Sequence, residues 1–178
     1  MKQAPVESTV PTNSRAATLL GGASFFDCWS VLSPHTDSSA LDLFIAAAVN
    51  SPRWVNLAMG ARNRIVRLAG LKNLGTLNGL DSSRQALSYQ PGDRVGIFTL
   101  FEQSFDEVLI GDKDKHLNVV LSVHRALAND GKNVLVSLTT IVHVKNLLGR
   151  LYMLPVRPAH RVIAPAVLER IATVPNAA

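Results

Sequence analysis

Hydrophobic and polar positions along the chain follow two periods, and each change of period marks an element. SFFDCWSVL, residues 24–32, is rich in aromatic and β-branched residues and predicts a strand. Pro34 stops it. Beyond it, SALDLFIAAAV places Leu41, Ile45 and Ala48 at helical spacing, with Ser38 or Asp37 available as the cap. Asn50-Ser51-Pro52 breaks this helix, and Pro52 suits the start of a second one over residues 53–71. Its apolar stripe is Trp54, Ala58, Ala61, Ile65 and Leu68, and its polar stripe is Asn56, Gly60, Asn63 and Arg67. Residues 72–92 hold Gly75, Gly79, Pro91 and Gly92 without a period and read as a loop.

Four strands are predicted next, over 94–104, 107–111, 116–125 and 133–143. Short polar turns join them, and Asn129-Asp130-Gly131 is a strong hairpin signal because glycine adopts positive φ without steric cost. Strands so connected form an antiparallel meander. A final helix over 145–172 can turn Leu148, Tyr152, Ala159, Ile163 and Ala166 inward. Pro155, Pro158 and Pro165 predict a kink or break between Leu154 and Pro158.

This order of strand, two helices, antiparallel strands and long terminal helix predicts an α+β domain. The curved sheet needs a cover, and the last helix is the long element left to supply it. That arrangement is the helix-grip fold, which often leaves a cavity between sheet and helix. We place one such domain at residues 23–173. Residues 1–22, with Pro5, Pro11 and several Ser and Thr, are expected to be a disordered leader.

Composition changes this picture little. The chain has 178 residues, 47% hydrophobic and 17% charged, which suits one globular core. Its formal charge of +5 is scattered, with no polybasic arm, so nucleic acid is not an expected partner. The single cysteine, Cys28, excludes an internal disulfide and supplies no zinc pattern, and it reads as a buried small residue. No stretch has the length of a membrane span, and no signal pattern opens the chain. A cytoplasmic protein with no metal and no cofactor is the expectation.

Four blocks are familiar: SPRWVNLAMGARNRIVRLAGLK, DRVGIF, DKHLNVVLSV and TTIVHVKNLLGRLYMLPVRPAHRVI. They resemble an uncharacterised bacterial family, domain of unknown function 2867, over about residues 26–168. The last block, H-x-x-N-x-x-G-R-x-Y followed by P-x-H-R, is the most specific. Members stand alone or follow a nucleotide-binding short-chain dehydrogenase domain. The family looks like part of the helix-grip superfamily, with START domains, birch-pollen-allergen-like proteins and polyketide cyclases. The resemblance implies a cavity for a small apolar or amphipathic ligand, lipid-like or polyketide-like, and no established reaction. It also admits a dehydrogenase partner or a homodimer. No G-x-G-x-x-G follows a strand here.

The candidate chemistry gathers where the last strand meets the last helix. His143 ends the strand, and Asn146, Gly149 and Arg150 open the helix. As a corner, Asn146 or His143 caps the first turn, Gly149 lets helix and sheet approach, and Arg150 pairs with Asp27, Asp93 or Glu102. As a site, His143 and Arg150 hold an anionic or carbonyl group at a cavity mouth. His116 and His124 share a strand face with Asn118 and Ser122, and the apolar alternation opposite them predicts that this face meets solvent. Turned inward, His116 would be a pocket anchor. Trp29, Trp54 and Tyr152 line a pocket or fill a core, and Arg62 is a carboxylate partner or a surface charge. No nucleophile elbow, P-loop or HExxH motif is present. Three functions follow: a ligand-binding module, a cyclase, dehydratase or isomerase using His143 with Arg150 or Tyr152, and an interaction domain with a filled core.

Overall fold

The structure is a computed structural model that describes residues 4–68, 80 and 84–173, with the backbone alone over 62–68. In chain order the elements are β1 (Val6–Glu7), β2 (Phe25–Ser33), α1 (Ala40–Val49), α2 (Arg53–Leu68), β3 (Arg94–Val95) and β4 (Phe98–Gln103). They continue with β5 (Glu107–Lys113), β6 (Leu117–Leu127), β7 (Val134–Val144) and α3 (Leu147–Thr173). One seven-stranded antiparallel sheet runs β1-β2-β7-β6-β5-β4-β3. The strands from β3 to β7 form the expected meander. The strand expected over 94–104 is two, because Gly96 turns the chain at φ 61°.

Alternation gives the sheet two unlike faces. On the helix face, Val31, Leu100, Val108, Ile110, Leu121, Val123, Val134, Val136 and Leu138 pack against Leu41, Phe44, Ala47 and Ala48 of α1 and Ala164, Leu168 and Ile171 of α3. Burying each large side chain among them contributes about 1.5–3 kcal/mol. A smaller cluster of Leu117, Val142 and Met153, with Phe25, Val144, Tyr152 and Val156 against it, lies under the first turns of α3. Ser39, rather than Ser38 or Asp37, caps α1, in a reciprocal box with Asp42.

Of the residues expected to face inward on α3, Tyr152, Ile163 and Ala166 pack partly buried against the smaller clusters, while the fully buried positions lie beside them. In α2, Val55 is buried while Trp54 stays 45% exposed; Ile65 and Leu68 lie outside the described side chains. In α3 the buried positions are Gly149, Met153, Ala164, Leu168 and Ile171, and Ala159 is exposed. α3 also runs through Pro155, Pro158 and Pro165 as one continuous helix, without the expected break. Each proline deprives the carbonyl four residues earlier of its donor, at Leu151, Leu154 and Arg161. All three of those residues are exposed, so water can serve the freed carbonyls. No helix among the described residues is long and apolar enough to cross a membrane.

The outer face is mixed: Leu109 and Ile141 are buried on it, beside Cys28, Ser30, Glu107, Ser122, His124, Ser137 and Thr139, which are buried too. What buries it is the segment expected to be a disordered leader. From Ala4 onward that expectation is corrected: β1 pairs with β2, and a 3-10 helix spans Arg15–Leu19. Ser8 Oγ lies 2.7 Å from Ser30 Oγ, which in turn meets Ser137 Oγ at 2.8 Å. Ser14 Oγ and Ser122 Oγ each donate to Glu107 Oε1 at 2.6 Å, and the Arg15 N–H donates to Oε2 at 2.8 Å. Polar composition suggested disorder, but these hydroxyls have buried partners waiting on the sheet. The apolar face of β6 does point to the helices, as alternation predicts. His124 opposite it is nevertheless buried, because the N-terminal segment occupies the place expected for solvent.

Burial raises the Glu107 pKa, but the bonds from Ser122, Ser14 and the Arg15 backbone, with His124 nearby, outweigh it and leave the carboxyl below its ordinary value. A folded-state value below the unfolded one stabilises the fold above the ordinary glutamate range, and this contribution is lost as pH falls through the lowered value. In urea unfolding, Glu107→Gln is therefore less stable than wild type at about neutral pH, and the gap narrows as acid protonates the folded-state carboxyl. A gap independent of pH would contradict this role.

Candidate functional site

Two residues brought together by strand register define the site. Asp27 on β2 and Thr140 on β7 are direct cross-strand partners on the helix face. α3 passes over them and lowers His160 between the two. His160 Nδ1 lies 2.9 Å from Asp27 Oδ2 and Nε2 lies 3.1 Å from Thr140 Oγ1. A carboxylate only accepts, so Nδ1 carries a proton; in the neutral ring Nε2 then accepts from the Thr140 hydroxyl. Trp29 Nε1 also donates to Asp27 Oδ2, at 3.3 Å. The Asp27 side chain is 8% exposed and that of His160 19%. Asp27 Oδ1 is buried without a hydrogen-bond partner. This polar band separates the main apolar cluster from the smaller one.

The band connects outward to a cleft. Phe25 meets the His160 ring edge-on at 5.9 Å, and the Arg157 guanidinium lies 5.7 Å from the Phe25 ring centre on its way to the Ser24 carbonyl, 3.0 Å from Nη2. Arg157 in turn lines an open cleft of about 370 Å³ with Ser24, Val144, Arg150, Met153 and Leu154. Arg150 and Arg157 thus line this cleft together with the apolar Val144, Met153 and Leu154. Among the described residues neither has an acidic partner. Arg150 does not pair as expected, because each carboxylate proposed for it is taken. Asp27 holds His160, Asp93 holds Arg84 and Glu102 holds Arg15.

The other expected site residues disperse. Asn146 is a corner device: Oδ1 accepts from the Gly149 N–H at 3.1 Å and Nδ2 donates to His116 Nδ1 at 2.9 Å. His116 is thereby part of the same corner and not an anchor beneath α3. A Cβ on Gly149 would stand 2.5 Å from the His116 carbonyl oxygen, so the close approach requires glycine. His143 pairs with Asn118 on the outer face, and its Nε2 donates to the Gly21 carbonyl at 3.2 Å. It faces away from α3, on the other side of the sheet from the cleft. Tyr152 is partly buried against the smaller cluster, Trp29 borders the band, Trp54 is on the surface, and the Arg62 side chain lies outside those described. The residues that sequence reasoning did not select are Thr140, Arg157 and His160, with Asp27 noted only as a partner for Arg150. Their signal was present in spacing: Met153, Val156, His160 and Ala164 recur at helical intervals, with a histidine inside an apolar row.

Fold and site together define an α+β domain in which an antiparallel sheet carries a long helix over a buried polar band, with a cationic cleft beside it. The chain belongs to the family described as Protein of unknown function (DUF2867), whose model matches residues 19–167. No curated protein and no solved structure matches it.

Two substitutions test the geometry. Gly149→Ala is expected to lower stability by about 1–3 kcal/mol, because the atom it meets is backbone. His160→Leu strands the Asp27 carboxylate and costs roughly 2–4 kcal/mol in chemical denaturation. The double variant Asp27→Leu/His160→Leu loses clearly less than the two single losses combined. Simple additivity would show that the pair is not coupled.

Proposed function

We propose that this domain is a helix-grip module that binds a small amphipathic anion, a long-chain carboxylate, in the cleft beside α3. Support for the helix-grip reading comes from the strand order, with β2 beside β7, α1 and α2 between β2 and β3, and α3 over the β2–β7 pair. The single observation that carries the ligand reading is that Arg150 and Arg157 line one cleft with Val144, Met153 and Leu154, without acidic partners among the described residues. Arginine matches a carboxylate with parallel N–H donors, and Val144, Met153 and Leu154 suit the first carbons of an alkyl chain. The cleft is open at the surface, so this binding needs no enclosed cavity.

A second reading, an enzyme of the cyclase, dehydratase or isomerase type, is favoured by the Asp27–His160 pair, in which a carboxylate orients an imidazole as acid–base catalysis requires. In that reading His160 takes the part expected of His143.

Titration with a fluorescent long-chain fatty acid tests the first reading. The acid binds, its methyl ester binds at least about tenfold more weakly, and Arg150→Gln weakens the acid by about the same factor. Equal affinity for acid and ester, or no binding of either, overturns it.

A further inference from the structure

The outward side of α3 is unlike an ordinary solvated helix face. Leu147, Leu151, Leu154 and Val162 are 70%, 55%, 68% and 59% exposed. With Pro158 they follow one another at intervals of four, three, four and four residues, which is a single stripe along the helix. Arg150, Arg157 and Arg161 each directly precede a residue of that stripe, at Leu151, Pro158 and Val162. All three therefore lie on one flank, about 100° round the helix. Glu169 is the one acidic residue in the α3 sequence, and it comes after the stripe has ended.

We propose that this face of α3 docks on an anionic lipid bilayer, lying in the plane of its surface. Charge complementarity selects the occupant: leucines beside a row of arginines suit acyl chains beside anionic headgroups. An antiparallel pairing with a second copy would bring both arginine flanks to the same seam, so like charges oppose it. The freed carbonyls of Leu151, Leu154 and Arg161 set the depth. They need water or headgroup donors, which exist at the headgroup boundary and not within hydrocarbon. The cleft opens on the arginine flank of this stripe, since Arg150, Leu154 and Arg157 belong to both. Docking thus presents the cleft to the membrane as the source of its ligand. This last point rests on the ligand reading above; the docking itself does not.

Co-sedimentation of the full chain with vesicles tests it. The protein sediments with phosphatidylcholine vesicles containing about one-third phosphatidylglycerol, stays in solution with phosphatidylcholine alone, and is released by salt. Arg161→Gln weakens the association about fivefold. Leu147→Glu/Leu151→Glu abolishes sedimentation while melting like wild type, because it places charge where the stripe would meet acyl chains. Equal sedimentation with both vesicle types, or undiminished sedimentation of both variants, overturns the proposal. So does a dimer in size-exclusion chromatography that Leu147→Glu/Leu151→Glu converts to monomer, since a second copy would then cover the face. Failure of fatty-acid binding with sedimentation intact removes the ligand reading alone.

Discussion

The ladder between β2 and β7 is the constraint on which the rest depends. It joins the first long strand of the domain to the last strand of the meander, in register from Phe25 opposite Val142 to Ser33 opposite Val134. That register places Asp27 beside Thr140, and the direction in which β7 leaves the sheet carries α3 back over both. His160 then bridges the pair and ties helix to strands by directed bonds within an otherwise apolar contact. A slip of one residue in the ladder would send Asp27 to the outer face and leave His160 over an apolar neighbour.

The two faces of the sheet use different chemistry for the same purpose. The helix face is closed by branched apolar side chains, whose gain scales with area and tolerates small shifts. The outer face adds small hydroxyls and one carboxylate to its few buried apolar residues, and their bonds demand particular partners at particular distances. The N-terminal segment can be rich in proline, serine and threonine and still be held, because Glu107 and the serines of β2, β6 and β7 supply what those residues need. This also explains the position of His143, which serves the N-terminal segment through Gly21.

α3 divides its circumference among three tasks. One side, from Gly149 through Met153 and His160 to Leu168, meets the sheet. A flank carries Arg150 and Arg157 into the cleft. The remaining side is the row of exposed leucines, kept free of acidic residues. The prolines fit this division, since the carbonyls they free belong to exposed residues and not to the buried row. Corner, cleft and exposed stripe thus share one helix but not one role.

Period and punctuation were enough for the element order. Alternation marked the strands, Asp130-Gly131 the last hairpin and Pro52 the second helix, because these signals act over a few residues of chain. The corner at Asn146 and Gly149 was legible for the same reason, since a cap acts within its own turn. Which positions of a helix are most deeply buried was less legible: Tyr152, Ile163 and Ala166 pack inward as expected, but Trp54 and Ala159 stay exposed, because such side chains suit either environment and only the packing partners choose. The N-terminal segment and the site were beyond local reading altogether. Ser14 finds Glu107, and Asp27 finds His160, across most of the chain. Short-range sterics and hydrophobic period made the helices, the long strands and their order readable from the chain, though not β1 or the split between β3 and β4. Tertiary structure alone decided that His160, not His143, faces the sheet–helix interface, because that choice depends on strand register and on where α3 comes to rest.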